Sequence, residues 1–333
     1  MRESSVALAA LVVIAAILAL GLLHLAGAVF MPLAFALLIL ALAEPARRWL
    51  AARVPVPLAA LCTLVLAAGA VTVFFLLAGW GFGLVAQWII GNAGRFQRVF
   101  NLESDSLHPH VALAMRMFLE HFNVTWLLKA IQEIAVRLNS MLGLAFLTII
   151  FTALGLFELD EAPGRLRRAL GERRGARWNA AAARVAARLR HYMLIRTVAS
   201  ILTGLTVWLF AFYAGLELAA AWGGLAFLLN YIPFLGPLIA TLFPALFAFV
   251  QYESLRAGVG VLLALNFIQV LYGCYLEPRL AGSAFALSPL MVMVAVFFGG
   301  WLWGIPGTFI GGPMLVAVAT ILARPSADAA GLR

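Results

Sequence analysis

In the C-terminal half of this 333-residue chain, a few polar residues stand inside otherwise apolar sequence. Asn266, Gln269, Gly273 and Glu277 fall within about 80° of one helix face at roughly 100° per residue. A polar stripe on an apolar helix faces a cavity or a partner helix. Glu277 is the ionisable member, and two readings of it stand side by side. It binds a proton, a cation or a polar solute, or it sits with Arg279 at the membrane interface and holds the following loop. Asn230 and Tyr231 add neutral hydrogen-bonding groups. An asparagine in hydrocarbon is costly unless a cavity or an interhelical bond serves it.

The elements that must position these residues are interrupted. Residues 219–250 are apolar but broken by Pro233, Gly236 and Pro237. Each proline removes a backbone donor and clashes one turn back, so no unbroken helix carries Pro233 and Pro237 together. With the break at Ile232–Gly236, each arm is about 14 residues, roughly 21 Å and short of a ~30 Å hydrocarbon core. Residues 288–322 repeat the pattern, with arms of about 15 residues meeting at Gly304, Ile305, Pro306 and Gly307. The spacings Gly300/Gly304 and Gly307/Gly311 let helices approach closely. Two re-entrant hairpins are the expectation, one kinked spanning helix at each place the alternative. Non-helical backbone at membrane depth survives only where protein or a water-filled cavity covers it. Paired interrupted segments are the best sequence pointer to a transporter's binding site.

Enzymatic chemistry finds no purchase. There is no His-Glu-x-x-His, no Gly-x-Gly-Asp, and no aspartate between Asp160 and Asp328. The single lysine, Lys129, follows Leu128 rather than the glycine of a phosphate-cradling loop. Cys62 and Cys274 stand in separate apolar runs and read as packing residues. No cofactor, metal or catalytic residue is expected.

Composition agrees. Hydrophobic residues make up 65% of the chain and charged residues 11%, with a mean hydropathy of +1.03. Soluble domains carry about 25% charged residues. The chain reads as an all-α, polytopic membrane protein of about eight membrane segments. Residues 1–80 hold three transmembrane helices. Residues 81–141 form an extracytoplasmic region with an amphipathic helix, against lipid or a neighbouring subunit. Residues 142–157 are a fourth span, and 158–196 a basic cytoplasmic loop and helix. Residues 197–323 form the transport region with both hairpins, and 324–333 a tail. The net charge of +9 concentrates in the loops after spans two and four, which places both chain ends in the cytoplasm by the positive-inside rule, beside anionic lipid. Nucleic acid is not an expected partner.

Three C-terminal blocks carry a family resemblance. Asn230-Tyr231-Ile232-Pro233-Phe234-Leu235-Gly236-Pro237 resembles the N-x-I-P-x-[IL]-G-P signature of the autoinducer-2 exporter (AI-2E) family. Glu277-Pro278-Arg279-Leu280-Ala281-Gly282, followed by Leu287-Ser288-Pro289-Leu290, resembles its E/S-P-R-x-x-G…L-x-P-L block. Gly304-Ile305-Pro306-Gly307 with Pro313 is similar to its closing element. Ala41-Leu42-Ala43-Glu44-Pro45 resembles an early A-x-x-x-P element in which asparagine or a similar residue usually stands in place of Glu44. The resemblance implies a secondary transporter in a bacterial inner membrane, exporting a small polar solute such as autoinducer-2 by an elevator-like movement of the hairpin region. It also implies a homo-oligomer, expected to be a pentamer. Sodium (lithium)/proton antiport and a non-transporting scaffold are the alternatives. Trp301, Trp303 and Phe309 leave the second hairpin poor in polar groups, which favours a neutral or hydroxylated solute. The candidate substrate- or ion-binding residues are Asn230, Tyr231, Pro233, Gly236, Pro237, Asn266, Gln269, Glu277, Arg279, Ser288, Pro289, Gly304, Pro306 and Gly307.

Overall fold

The computed structural model describes residues 2–96, 98–99, 124–281 and 288–323; they are mostly helical, with no strand among them. Within residues 81–141, the stretch 100–123 lies outside the described residues, as do Gly282, Leu287 and the tail 324–333. Helices α1 (Arg2–Leu25) and α2 (Gly27–Ala51) are followed by α3 (Val56–Gly91) and α4 (Val124–Glu158). The short α5 (Ala162–Leu170) precedes the 42-residue α6 (Glu172–Tyr213). Then come α7 (Ala219–Leu229), α8 (Leu235–Tyr252) and α9 (Leu255–Val270). A π-helical turn (Leu271–Leu276) leads into α10 (Glu277–Ala281), and α11 covers Pro289–Leu322. Seven described helices are long and apolar enough to cross a membrane, and Ala10–Leu25 is a shorter apolar stretch. This is an all-α polytopic membrane protein.

Several boundaries differ from the sequence reading. Val124–Glu158 is one helix, so the amphipathic stretch 124–141 and the fourth span share an axis. The span read as starting at 197 begins inside α6, because an alanine- and arginine-rich segment continues the helix without any breaker. Gly171, at φ +82°, separates α5 from α6. It takes a conformation that side chains with a Cβ disfavour.

The chain forms two compact units. One comprises Met1–Ala68, Leu144–His191 and Leu287–Arg333. Here α2 packs on α1 and α11. The Arg47 guanidinium forks onto Asp160 through bonds of 2.9 and 2.7 Å, and Arg190 donates to Glu44 and to the Ala41 carbonyl at 3.0 Å each. These bonds fasten the end of α2 to the α4–α5 turn and to α6. The arms of α11 fold back on each other at Trp303 and Gly304. Gly304 has φ +66° and ψ −144°, a region essentially reserved for glycine. A Cβ on Gly307 would lie 1.9 Å from the Gly299 carbonyl oxygen, and one on Gly311 would lie 2.5 Å from that of Ala295. This is an antiparallel hairpin held by backbone-to-backbone approach. The contact runs through Gly299 rather than Gly300, because the fold at Trp303 and Gly304 sets Gly299 opposite Gly307 and leaves Gly300 against the Thr308 side chain. Trp303 Nε1 donates to the Leu23 carbonyl at 3.0 Å, and His24 Nδ1 lies 2.9 Å from the Leu302 carbonyl. The tip is thereby stitched to the end of α1.

The other unit comprises Gly69–Gly143 and Tyr192–Ala286. Its core gathers Trp88, Trp222, Phe247, Phe249, Leu225 and Leu265. Trp88 packs tilted against Phe247 at 3.7 Å between centroids and donates its indole N–H to Glu217. Helices α6 and α7 cross where Gly204 and Gly223 meet; a Cβ on either would lie within 3 Å of the other's carbonyl oxygen. In lipid such packing comes from van der Waals contact and interhelical hydrogen bonds rather than exclusion of water. Helices α7 and α8 form the other hairpin, turning through Asn230–Phe234. Its arms are 11 and 18 residues rather than equal, because α7 ends at Leu229 and α8 runs on to Tyr252.

Candidate functional site

The polar chemistry of the second unit gathers on one face of α6. Tyr192, Arg196 and Ser200 follow at four-residue steps, and Thr203 continues the same face. Neighbours four apart lie above one another on a helix. Arg196, Ser200 and Thr203 are buried. Against this face sits the α7–α8 turn. Asn230 Nδ2 donates to Ser200 Oγ at 3.1 Å, and the Asn230 carbonyl accepts from Arg196 at 3.4 Å. The Tyr231 hydroxyl donates to Thr197 Oγ1 at 3.0 Å, and its ring meets Phe74 and Phe227 edge-on. The buried asparagine therefore has its partners, on α6.

The backbone of the turn is built for this placement. Phe234 holds φ +63°, an unfavourable conformation for a residue with a Cβ, beside the buried Pro233. Gly236 cannot be replaced without movement, since a Cβ there would fall 1.8 Å from the Leu229 carbonyl oxygen. Pro237 lies in the first turn of α8, where a missing N–H costs little.

Glu277 closes the cluster from the other side. Arg196 Nη1 lies 3.1 Å from Glu277 Oε2, with 10% and 23% of the two side chains exposed. Arg196 Nε also lies 3.4 Å from the Tyr192 hydroxyl. The π turn aims Glu277 there. Its N–H donates to the Tyr272 carbonyl five residues back, and Pro278 follows, unable to donate at all. Single π turns of this kind recur at functional sites. Tyr272 itself reaches Thr206 on α6 at 2.7 Å.

The same π turn breaks the stripe read from the sequence. The extra residue in the turn rotates Glu277 away from the face of Asn266. Asn266 is exposed and donates to the Leu262 carbonyl of its own helix, whereas Gln269 is buried. Arg279 is exposed and lies 4.0 Å over the Tyr275 ring. Ser288 and Pro289 begin α11, and Gly304, Pro306 and Gly307 lie within it, all in the first unit.

Arg196, Thr197 and Ser200 are the site residues that the sequence reading missed. Arg196 was counted with the basic loop ending at residue 196. Its signal was the four-residue spacing Tyr192, Arg196, Ser200 running directly into apolar sequence. Thr203 Oγ1, fully buried, has no hydrogen-bond partner among the described residues. Chemically the cluster offers a guanidinium and a carboxylate that neutralise each other, an amide and several hydroxyls. That set suits a small uncharged or zwitterionic solute.

A family model described as AI-2E family transporter matches residues 8–325. The chain belongs to the AI-2E family of transporters. It is 32% identical over 193 residues to the AI-2 transport protein TqsA of Escherichia coli strain K12, covering 57% of this chain and 54% of that protein. A Borreliella burgdorferi protein, named provisionally as a transport protein, is 30% identical over 198 residues, covering 59% of this chain and 54% of that one. The chain spans about half the length of the curated relatives it matches.

Proposed function

We propose that this AI-2E transporter is a secondary transporter that exports a small polar solute through the bacterial inner membrane. Autoinducer-2, in the name of the E. coli relative, is the first candidate. The solute binds at Asn230, Tyr231 and Arg196, with Glu277 as the counter-charge, in an ion-coupled, elevator-like cycle run by a homo-oligomer. The observation that carries the reading is the buried cluster at the turn of the α7–α8 hairpin, where an amide, three hydroxyls and an ion pair converge. Buried polar groups in a membrane helix are expensive and mark solute pathways. Sodium/proton antiport is the weaker reading, because it needs a carboxylate at the site without a fixed partner. Glu277 faces Arg196, and Glu217 accepts the Trp88 indole N–H.

The test is release of autoinducer-2 from proteoliposomes holding the full chain, with and without an imposed pH gradient, against empty vesicles. Protein-dependent release that responds to the gradient and falls at least tenfold in Asn230→Ala supports the proposal. Release equal to that of empty vesicles removes the solute assignment. The same vesicles are then tested for sodium-driven proton movement.

A further inference from the structure

Helix α6 is 42 residues long, about 63 Å at 1.5 Å per residue, roughly twice the ~30 Å hydrocarbon thickness. Its C-terminal part presents Val198, Leu202, Leu205 and Leu209 as an exposed apolar face, opposite the buried Ser200, Thr203 and Val207. Traced toward the N-terminus at roughly 100° per residue, the exposed face runs into Arg188, Arg184, Arg177 and Arg173, all exposed. The eight side chains share a sector about 100° wide. The four arginines span about 22 Å of helix axis.

These arginines have no ion-pair partner among the described residues, in contrast to Arg47, Arg165 and Arg190, which pair with Asp160, with Glu158 and Glu161, and with Glu44. Glu172, at its first residue, is the one carboxylate that α6 carries. The positive stripe is therefore unneutralised and continues the very face that is apolar further along. Arg188 and Arg184 lie about 9 and 15 Å along the axis from the exposed Leu194, within reach of the headgroup layer once the arginine stem is extended.

We propose that Arg184 and Arg188 bind the phosphate headgroups of anionic phospholipids whose acyl chains cover Val198 to Leu209, with Arg177 and Arg173 extending the positive field beyond them. A guanidinium matches a phosphate through two parallel hydrogen bonds. An acidic protein segment would satisfy the arginines but not the apolar continuation of the same face; one lipid satisfies both. The proposal does not depend on the solute assignment.

Native mass spectrometry of the full chain, purified in detergent and titrated with phosphatidylglycerol, phosphatidylcholine or inorganic phosphate, tests it. The wild type retains phosphatidylglycerol in preference to phosphatidylcholine. The variant R184Q/R188Q weakens that retention about thirty-fold, roughly five-fold per arginine. R184K/R188K keeps most of it, and R167Q/R168Q on α5 leaves it unchanged. Equal retention by wild type and R184Q/R188Q overturns the proposal. So does competition by inorganic phosphate at matching concentration, which would mark a free-anion site.

Discussion

The hairpin of α7 and α8 turns through Asn230–Phe234, and each polar group there bonds to a side chain or reaches one on α6. The hairpin of α11 turns through Trp303 and Gly304, and its arms meet through glycine backbone. The first is held by chemistry, the second by shape. Arginine–carboxylate pairs occur in both units. Arg196–Glu277 is largely buried, whereas Arg47–Asp160 has a carboxylate that is 56% exposed. The contrast teaches that two broken apolar segments can be held by different means, one by side chains bonded to each other and one by close approach of glycine backbone.

The sharpest way to break this comparison is at Arg196. Arg196→Ala strands the Glu277 carboxylate, and removing one partner of a buried pair costs about 3–5 kcal/mol. Arg196→Ala/Glu277→Ala should cost clearly less than the sum of the single variants, with a coupling of roughly 1–3 kcal/mol in thermal unfolding in detergent. Additive costs would show that the pair does not hold the α7–α8 turn. Solute release should be lost in all three.

Gly307→Ala probes the other hairpin. Its Cβ meets the Gly299 carbonyl at 1.9 Å, so the arms must part at a cost of about 1–3 kcal/mol or more. Gly260→Ala has nothing within 4 Å and should change stability by less than ~1 kcal/mol. If the α11 hairpin is held by shape alone, Gly307→Ala lowers the amount of folded protein while the molecules that fold keep their solute KM. A raised KM would bring this hairpin into solute recognition and erase the contrast. Asn230→Ala reverses the pattern. Ser200 loses its amide donor, the stability cost is about 1–2 kcal/mol, and KM rises.

Both breaks were legible because proline and glycine leave an unmistakable mark on apolar sequence. Pro233 and Gly304 lie at the turns themselves, and Pro237 and Pro306 in the helical arm just after each. The spans followed from length and hydropathy. Arg196 was not legible. One residue from the apolar run, it looked like one more arginine of a basic loop, and its burial and its contacts with Glu277 and the Asn230 carbonyl distinguish it. The register of Glu277 was hidden for a different reason. A π turn leaves no strong local signature, yet it rotates everything after it, so a stripe computed at 100° per residue failed from Leu271 onward. Gly299 rather than Gly300 carries the close approach because the fold position, not the spacing, decides which glycines face each other.

The smallest effect separates the two ion pairs by pH. The Arg47 guanidinium, hydrogen-bonded to Asp160, holds that carboxyl below its ordinary value near 3.8. A carboxyl with a lowered folded-state value stabilises the protein at pH above its unfolded value. That contribution fades as pH falls below about 3.8 and through the lower folded value. With Asp160 more than half exposed, solvent screening limits the contribution to about 1 kcal/mol. Asp160→Asn should therefore lower the unfolding temperature modestly at pH 7, with the gap to wild type narrowing near pH 3. The measurement is thermal unfolding in detergent across that range. A gap that persists undiminished at pH 3 would mean that the fork onto Arg47 works through shape, like the α11 hairpin, and not through charge.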